Sequence, residues 1–106
     1  MTIIAESYVA PDHPALTGHF PGYPIVPGVL LLSEVLSAIE RHFGPTDRMW
    51  SWPVVKFLSP LRPGEPFSIK VEPNAMREFA FVVTRGETMI ASGKVQPQRR
   101  TGADIP

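Results

Sequence analysis

One histidine, His19, stands at the entrance of a loop crowded with proline and glycine, G-H-F-P-G-Y-P-I-V-P-G-V-L-L-L-S-E from Gly18 to Glu34. An unperturbed imidazole titrates at about pH 6.5, so a histidine held in place can take a proton at neutral pH. Pro21, Pro24 and Pro27 each fix a backbone angle and remove an N–H donor, while Gly22 and Gly28 permit turns that other residues resist. Such a loop has few shapes open to it. The helix that opens near Gly28 has no Ser, Thr, Asp or Asn at its start, so its first amides are left for a ligand. The Gly28 amide would lie at the positive end of the helix dipole, where partial negative charge is favoured.

The elements that must hold this loop are legible on either side of it. Thr2 to Val9 reads as a first strand, ended by Pro11 and Pro14, with His13 in the connection. From Val29 to about Phe43 the chain is helical: Ser33, Glu34, Ser37, Glu40 and Arg41 gather on one arc, and Leu31, Leu32, Val35, Ala38, Ile39 and Phe43 cover the rest. An apolar arc this wide must be wrapped on several sides, as a curved antiparallel sheet would wrap it. Gly44 and Pro45 stop the helix. Arg48 to Leu58 reads as a strand with Trp50, Trp52 and Val54 on one face, and its Pro53 marks an edge or a bulge. The alternating runs Phe67-Ile69-Val71 and Phe79-Phe81-Val83 are half-buried strands, and Arg85-Gly86 turns into a last strand, Thr88 to Gln96. Residues 1–96 are expected to form one domain and 97–106 a mobile tail.

Composition removes several classes of function. The chain has 106 residues, 43% apolar and 19% charged, with no net formal charge and hence none of the basic excess that nucleic-acid binding needs. A domain this small has a modest core, which favours association with a second copy. There is no cysteine, and His13, His19 and His42 do not show a metal-ligand spacing, so no metal or other cofactor is expected. The apolar run Ile25 to Leu32 is broken by Pro27 and Gly28 and falls short of the roughly 20 residues of a membrane helix. Met1 to Tyr8 lacks the pattern of a signal peptide, which makes a bacterial-type cytoplasm the expected location.

The run from His19 to Val29 resembles the signature loop of the hotdog-fold 3-hydroxyacyl-[acyl carrier protein] dehydratases, H-F-P-G-x-P, two apolar residues, then P-G-V. The preceding D-H-P-A-L-T-G, Asp12 to Gly18, is similar to the branch of that family found in aryl polyene and related pathways. The resemblance covers Thr2 to Gln96, including the turn-rich S-P-L-R-P-G-E-P between strands. It implies an α+β hotdog fold in which a long central helix is wrapped by the curved antiparallel sheet. It also implies an acyl carrier protein as partner, and two chains paired edge to edge with an acyl tunnel at their interface. His19 becomes the base, and Gly28, Val29 and Phe20 become substrate-binding residues. Trp50, Trp52, Phe57 and Phe81 are tunnel-lining candidates, with core or interface packing the simpler reading for each.

One position departs from the family pattern. Where the family carries a catalytic Asp or Glu, five residues past the glycine of P-G-V, this chain has Ser33, followed by Glu34. A serine hydroxyl is a poor proton donor, although it can hold a water. Glu34 has the right chemistry, but one step along a helix turns a side chain about 100°. Glu34 has no cation three or four residues away to explain it as half of a local ion pair, while the plain alternative places both residues on the solvent-facing arc. Three readings stay open: a dehydratase, slowed by the serine; a non-catalytic acyl-thioester-binding partner that completes a heterodimer with a carboxylate-bearing chain; and, disfavoured by the H-F-P-G loop, a thioesterase.

Overall fold

A computed structural model describes residues 1–16 and 25–98 of the chain. The α+β hotdog arrangement expected above is the one observed. A 16-residue helix, α1 (Gly28–Phe43), packs on a five-stranded sheet of β1 (Thr2–Ser7), β2 (Trp50–Phe57), β3 (Phe67–Pro73), β4 (Phe79–Arg85) and β5 (Thr88–Pro97). The strand order is β1-β3-β4-β5-β2, with every neighbouring pair antiparallel. The helix therefore connects the two edge strands, and the sheet between them is built from the last three strands.

Strict alternation in β3 and β4 puts Phe67, Ile69, Val71, Phe79, Phe81 and Val83 on the inner face, where Ile90, Ala91 and Val95 of β5 join them. Leu31, Val35, Ala38 and Ile39 of the helix are buried against that face, and Leu30, Leu32, Leu36 and Phe43 pack around them half-buried. That is how the wide apolar arc is satisfied. Each of the large core side chains contributes about 1.5–3 kcal/mol relative to exposure. Among the described residues no buried side chain is polar or charged. Gly44 ends the helix at φ 96°, a left-handed angle that glycine takes without steric cost, and its N–H donates to the Glu40 carbonyl at 2.9 Å. Gly86, at φ 58°, likewise makes the tight β4–β5 turn expected beside Arg85.

Two strand details differ from expectation. β1 stops at Ser7, because the chain leaves the ladder and Val9, almost fully buried, accepts the Gly64 N–H at 2.7 Å. In β2 the register slips between Ser51 and Val54, so Pro53 marks both a bulge and an edge strand. The slip changes which side chains face inward. Trp50 and Trp52 pack on Phe79 and Phe81 at ring separations of 6.0 and 5.7 Å, but the next inward residue is Val55, leaving Val54 exposed. Phe81 is 1% exposed, which makes it core and not tunnel lining. The Trp50 indole Nε1–H donates to Glu40 Oε1 at 3.0 Å, tying the helix to this edge.

The bulge brings the Val54 carbonyl against Gly93, where a β-carbon would collide with that oxygen and press on the Phe81 ring. Gly93→Ala is therefore expected to cost about 1–3 kcal/mol, the range of overpacking. Urea unfolding followed by circular dichroism checks this, and an unchanged midpoint would show that the bulge relaxes freely.

Candidate active site

The helix start that the sequence left without a cap is uncapped in the structure. Pro27 occupies the N-cap position in extended geometry, makes no side-chain capping bond, and no acidic residue lies in the first turn. The Leu31 N–H donates to the Pro27 carbonyl at 3.1 Å, and the three amides before it, of Gly28, Val29 and Leu30, have no acceptor inside the helix. With the dipole behind them they favour an oxygen carrying partial negative charge.

Gly28, the first of the three, lines an open cleft of about 450 Å³, a size ordinary for a small-molecule site. Ile25, Val26, Pro27, Gly28 and Leu31 form one wall; Phe57, Leu58, Ser59, Pro60 and Leu61 form the other, with Ile90 behind. Several bonds fix the frame. The Val26 N–H donates to the Leu61 carbonyl at 2.7 Å, joining the two walls, and the Leu58 and Ser59 N–H groups both donate to the Ile90 carbonyl, at 2.8 and 3.3 Å. From β4, Arg85 Nη1 donates to the Pro60 carbonyl at 2.8 Å and meets Glu65 Oε1 at 3.2 Å. That same carboxylate oxygen accepts the Arg62 N–H at 2.7 Å. The cleft is apolar with the first residue of the uncapped helix at one edge, a form that accepts an acyl chain ending in a polarised carbonyl.

The residues singled out from the sequence are placed unevenly. Gly28 lies in the cleft wall. Val29 is 81% exposed and does not line the cleft. Ser33, four residues on and so on the same side of the helix as Val29, is exposed, whereas Glu34 is half-buried; neither lines the cleft. Among the described residues Glu34 has no ion pair. His19 and Phe20 lie outside the described residues, as does the tail beyond Gln98. Phe57, named from the sequence only as one of four aromatic candidates, is in the cleft wall and 54% exposed. Leu58, Pro60, Leu61 and Ile90 carry no signal of their own beyond the turn-rich link, and the Arg85–Glu65 clamp joins residues 20 apart.

A family described as ApeI dehydratase, ApeI-like, matches residues 1–94. The chain belongs to the ApeI-like dehydratase family. Its hotdog fold is shared with a solved structure, the dehydratase heterocomplex ApeI:P from Xenorhabdus doucetiae, at TM-score 0.74 and 26% identity over 89% of this chain and 84% of that one. A mutant of the fluoroacetyl-CoA-specific thioesterase FlK has the same fold at TM-score 0.65, covering 86% of this chain and 82% of that one, but only 16% identity, which speaks to fold alone. Curated relatives include the 3-hydroxyacyl-[acyl-carrier-protein] dehydratases FabZ of Chlamydia trachomatis, 29% identical, and of Chlamydia muridarum, 30% identical, each over 92% of this chain. The match spans 65% of the length of those relatives. No helix among the described residues is long and apolar enough to cross a membrane.

Proposed function

We propose that this ApeI-like dehydratase family member removes water from 3-hydroxyacyl thioesters carried on an acyl carrier protein, in fatty-acid or aryl-polyene-like biosynthesis in the cytoplasm. The observation that carries the reading is the uncapped first turn of α1 set in the edge of an apolar cleft, directly downstream of the H-F-P-G loop. His19 takes the proton from the carbon beside the thioester carbonyl. The electron pair left behind moves toward the carbonyl, whose oxygen accepts from the Gly28 amide, then forms the carbon–carbon double bond as the C–O bond to the hydroxyl breaks. The departing oxygen takes a proton and leaves as water, so the products are the enoyl thioester and water.

The source of that last proton separates two forms of the proposal. Ser33 and Val29 point along an exposed arc of the helix, away from the cleft of their own chain. This geometry favours a site in which the acid position of one chain serves the cleft of another. In a homodimer the acid position is then filled by serine, and dehydration is slow. In a heterodimer a related chain supplies the carboxylate, a reading supported by the heterocomplex among the structural neighbours. β2, an edge strand with Val54 and Phe57 exposed, is the edge offered for pairing.

The test is turnover of a 3-hydroxyacyl carrier protein by the full chain alone, then mixed with a carboxylate-bearing homologue, with loss of water read by mass spectrometry. The mixture is expected to exceed the chain alone by about 100-fold or more, the lower end of what a general acid contributes. Release of free thiol without loss of water would instead establish the thioesterase reading. Absence of both reactions in both samples would remove the catalytic one.

A further inference from the structure

Phe57 stands out in the cleft wall by where its ring lies. The residue is 54% exposed, yet the ring lies on the first turn of α1 so closely that a β-carbon built at Gly28 would sit 2.6 Å from Cζ and 3.0 and 3.1 Å from Cε1 and Cε2. The neighbouring walls are pinned by backbone hydrogen bonds, through Val26 to Leu61 and through Leu58 and Ser59 to Ile90, and by Arg85 on the Pro60 carbonyl. The Phe57 side chain has no bond of that kind. It is held by contact alone, at the last position of β2, where the chain turns out of its ladder opposite Ala91.

We infer that Phe57 is the specificity-determining residue of this site, setting how much bulk an acyl thioester can carry next to its reacting carbons. The inference rests on the proposed acyl-thioester reading and deepens it. A carbonyl oxygen on the Gly28 amide brings the first few carbons of the chain alongside the Phe57 ring, so the ring limits branching near the carbonyl. Chain length is left to the aliphatic remainder of the cleft. The Gly28 contact also explains why this position carries no side chain: a methyl group there would displace the ring from the place where it narrows the entrance.

The probes are two unreactive pantetheine amides with a 3-hydroxyacyl group, one straight-chained and one carrying two methyl groups on the carbon beyond the hydroxyl. Their affinities are measured by calorimetry for the full-length wild type, Phe57→Ala and Phe57→Leu. Wild type is expected to prefer the straight probe, and Phe57→Ala to lower that preference by about tenfold or more, as removal of a pocket wall facing one or two methyl groups does. Phe57→Leu should fall between, which keeps the test available if the alanine variant folds poorly. A preference unchanged within about twofold in both variants, or moved toward the straight probe, overturns the role of Phe57 while leaving the acyl-site reading intact. Failure of wild type and variants alike to bind either probe overturns the acyl-site reading, and the inference with it.

Discussion

Replacing His19 by alanine is expected to lower kcat for dehydration of a 3-hydroxyacyl thioester by about 100- to 10,000-fold, the usual contribution of a positioned acid–base group. The effect should fall mainly on kcat, because on the proposed reading the acyl chain is held by the cleft walls and the thioester oxygen by the first turn of α1. A second readout separates loss of the base from general damage. In deuterated water, an enzyme with its base exchanges one hydrogen on the carbon beside the carbonyl of the 3-hydroxyacyl thioester as the reaction reverses, and His19→Ala should lose exchange and dehydration together. The measurement belongs in whichever pairing of chains turns over fastest. Full turnover by the alanine variant would show that some other group takes the proton.

Much of the fold could be read before the structure, since its elements announce themselves locally. The helix has a stop at Gly44 that depends on one residue's backbone freedom, and β3 and β4 alternate without a break. Where the reading slipped, a distant partner decided the matter. Val9 leaves β1 because its carbonyl is taken by Gly64, more than fifty residues away in sequence, and Val54 faces out because β2 bulges against Gly93. Period-two alternation cannot register a bulge whose position is set by the neighbouring strand. The site divides in the same way. The bare helix start was legible because capping depends on residue type at one position, and Gly28 is where the cleft meets it. The opposite wall was not legible. Leu58, Pro60 and Leu61 are unremarkable in sequence and become a wall only when β5 and Arg85 hold their backbone in place.

The two halves of the site also differ in what fixes them. On the proposed reading the amide half is built by helix geometry, so it persists whichever side chains surround it, whereas the acid half would depend on the identity of a single exposed side chain. Ser33 can therefore depart from the family pattern at little structural cost. It is exposed and takes part in no ion pair among the described residues. A carboxylate there should be equally tolerated.

Ser33→Asp is accordingly expected to raise dehydration by the chain acting alone by roughly 100-fold, the lower end of the general-acid range. Aspartate is a short side chain in the middle of a helix, and its propensity cost of less than about 0.7 kcal/mol should leave folding intact. The gain should appear in kcat, because the added group gives its proton to the leaving oxygen without contributing to the hold on the acyl chain. Glu34→Gln is the companion measurement. Glu34 is half-buried one residue further round the helix and pairs with no cation among the described residues, so it is the carboxylate to test for having assumed the role. Should it have done so, Glu34→Gln would abolish turnover and Ser33→Asp would add little, since the site would already possess its acid. If Ser33→Asp folds, associates and binds acyl thioester as wild type does, yet gains no turnover while Glu34→Gln is without effect, the homodimeric dehydratase reading fails. The chain would then be the acyl-binding half of a two-chain enzyme, and the same Ser33→Asp substitution should also leave the rate of its mixture with a carboxylate-bearing homologue unchanged.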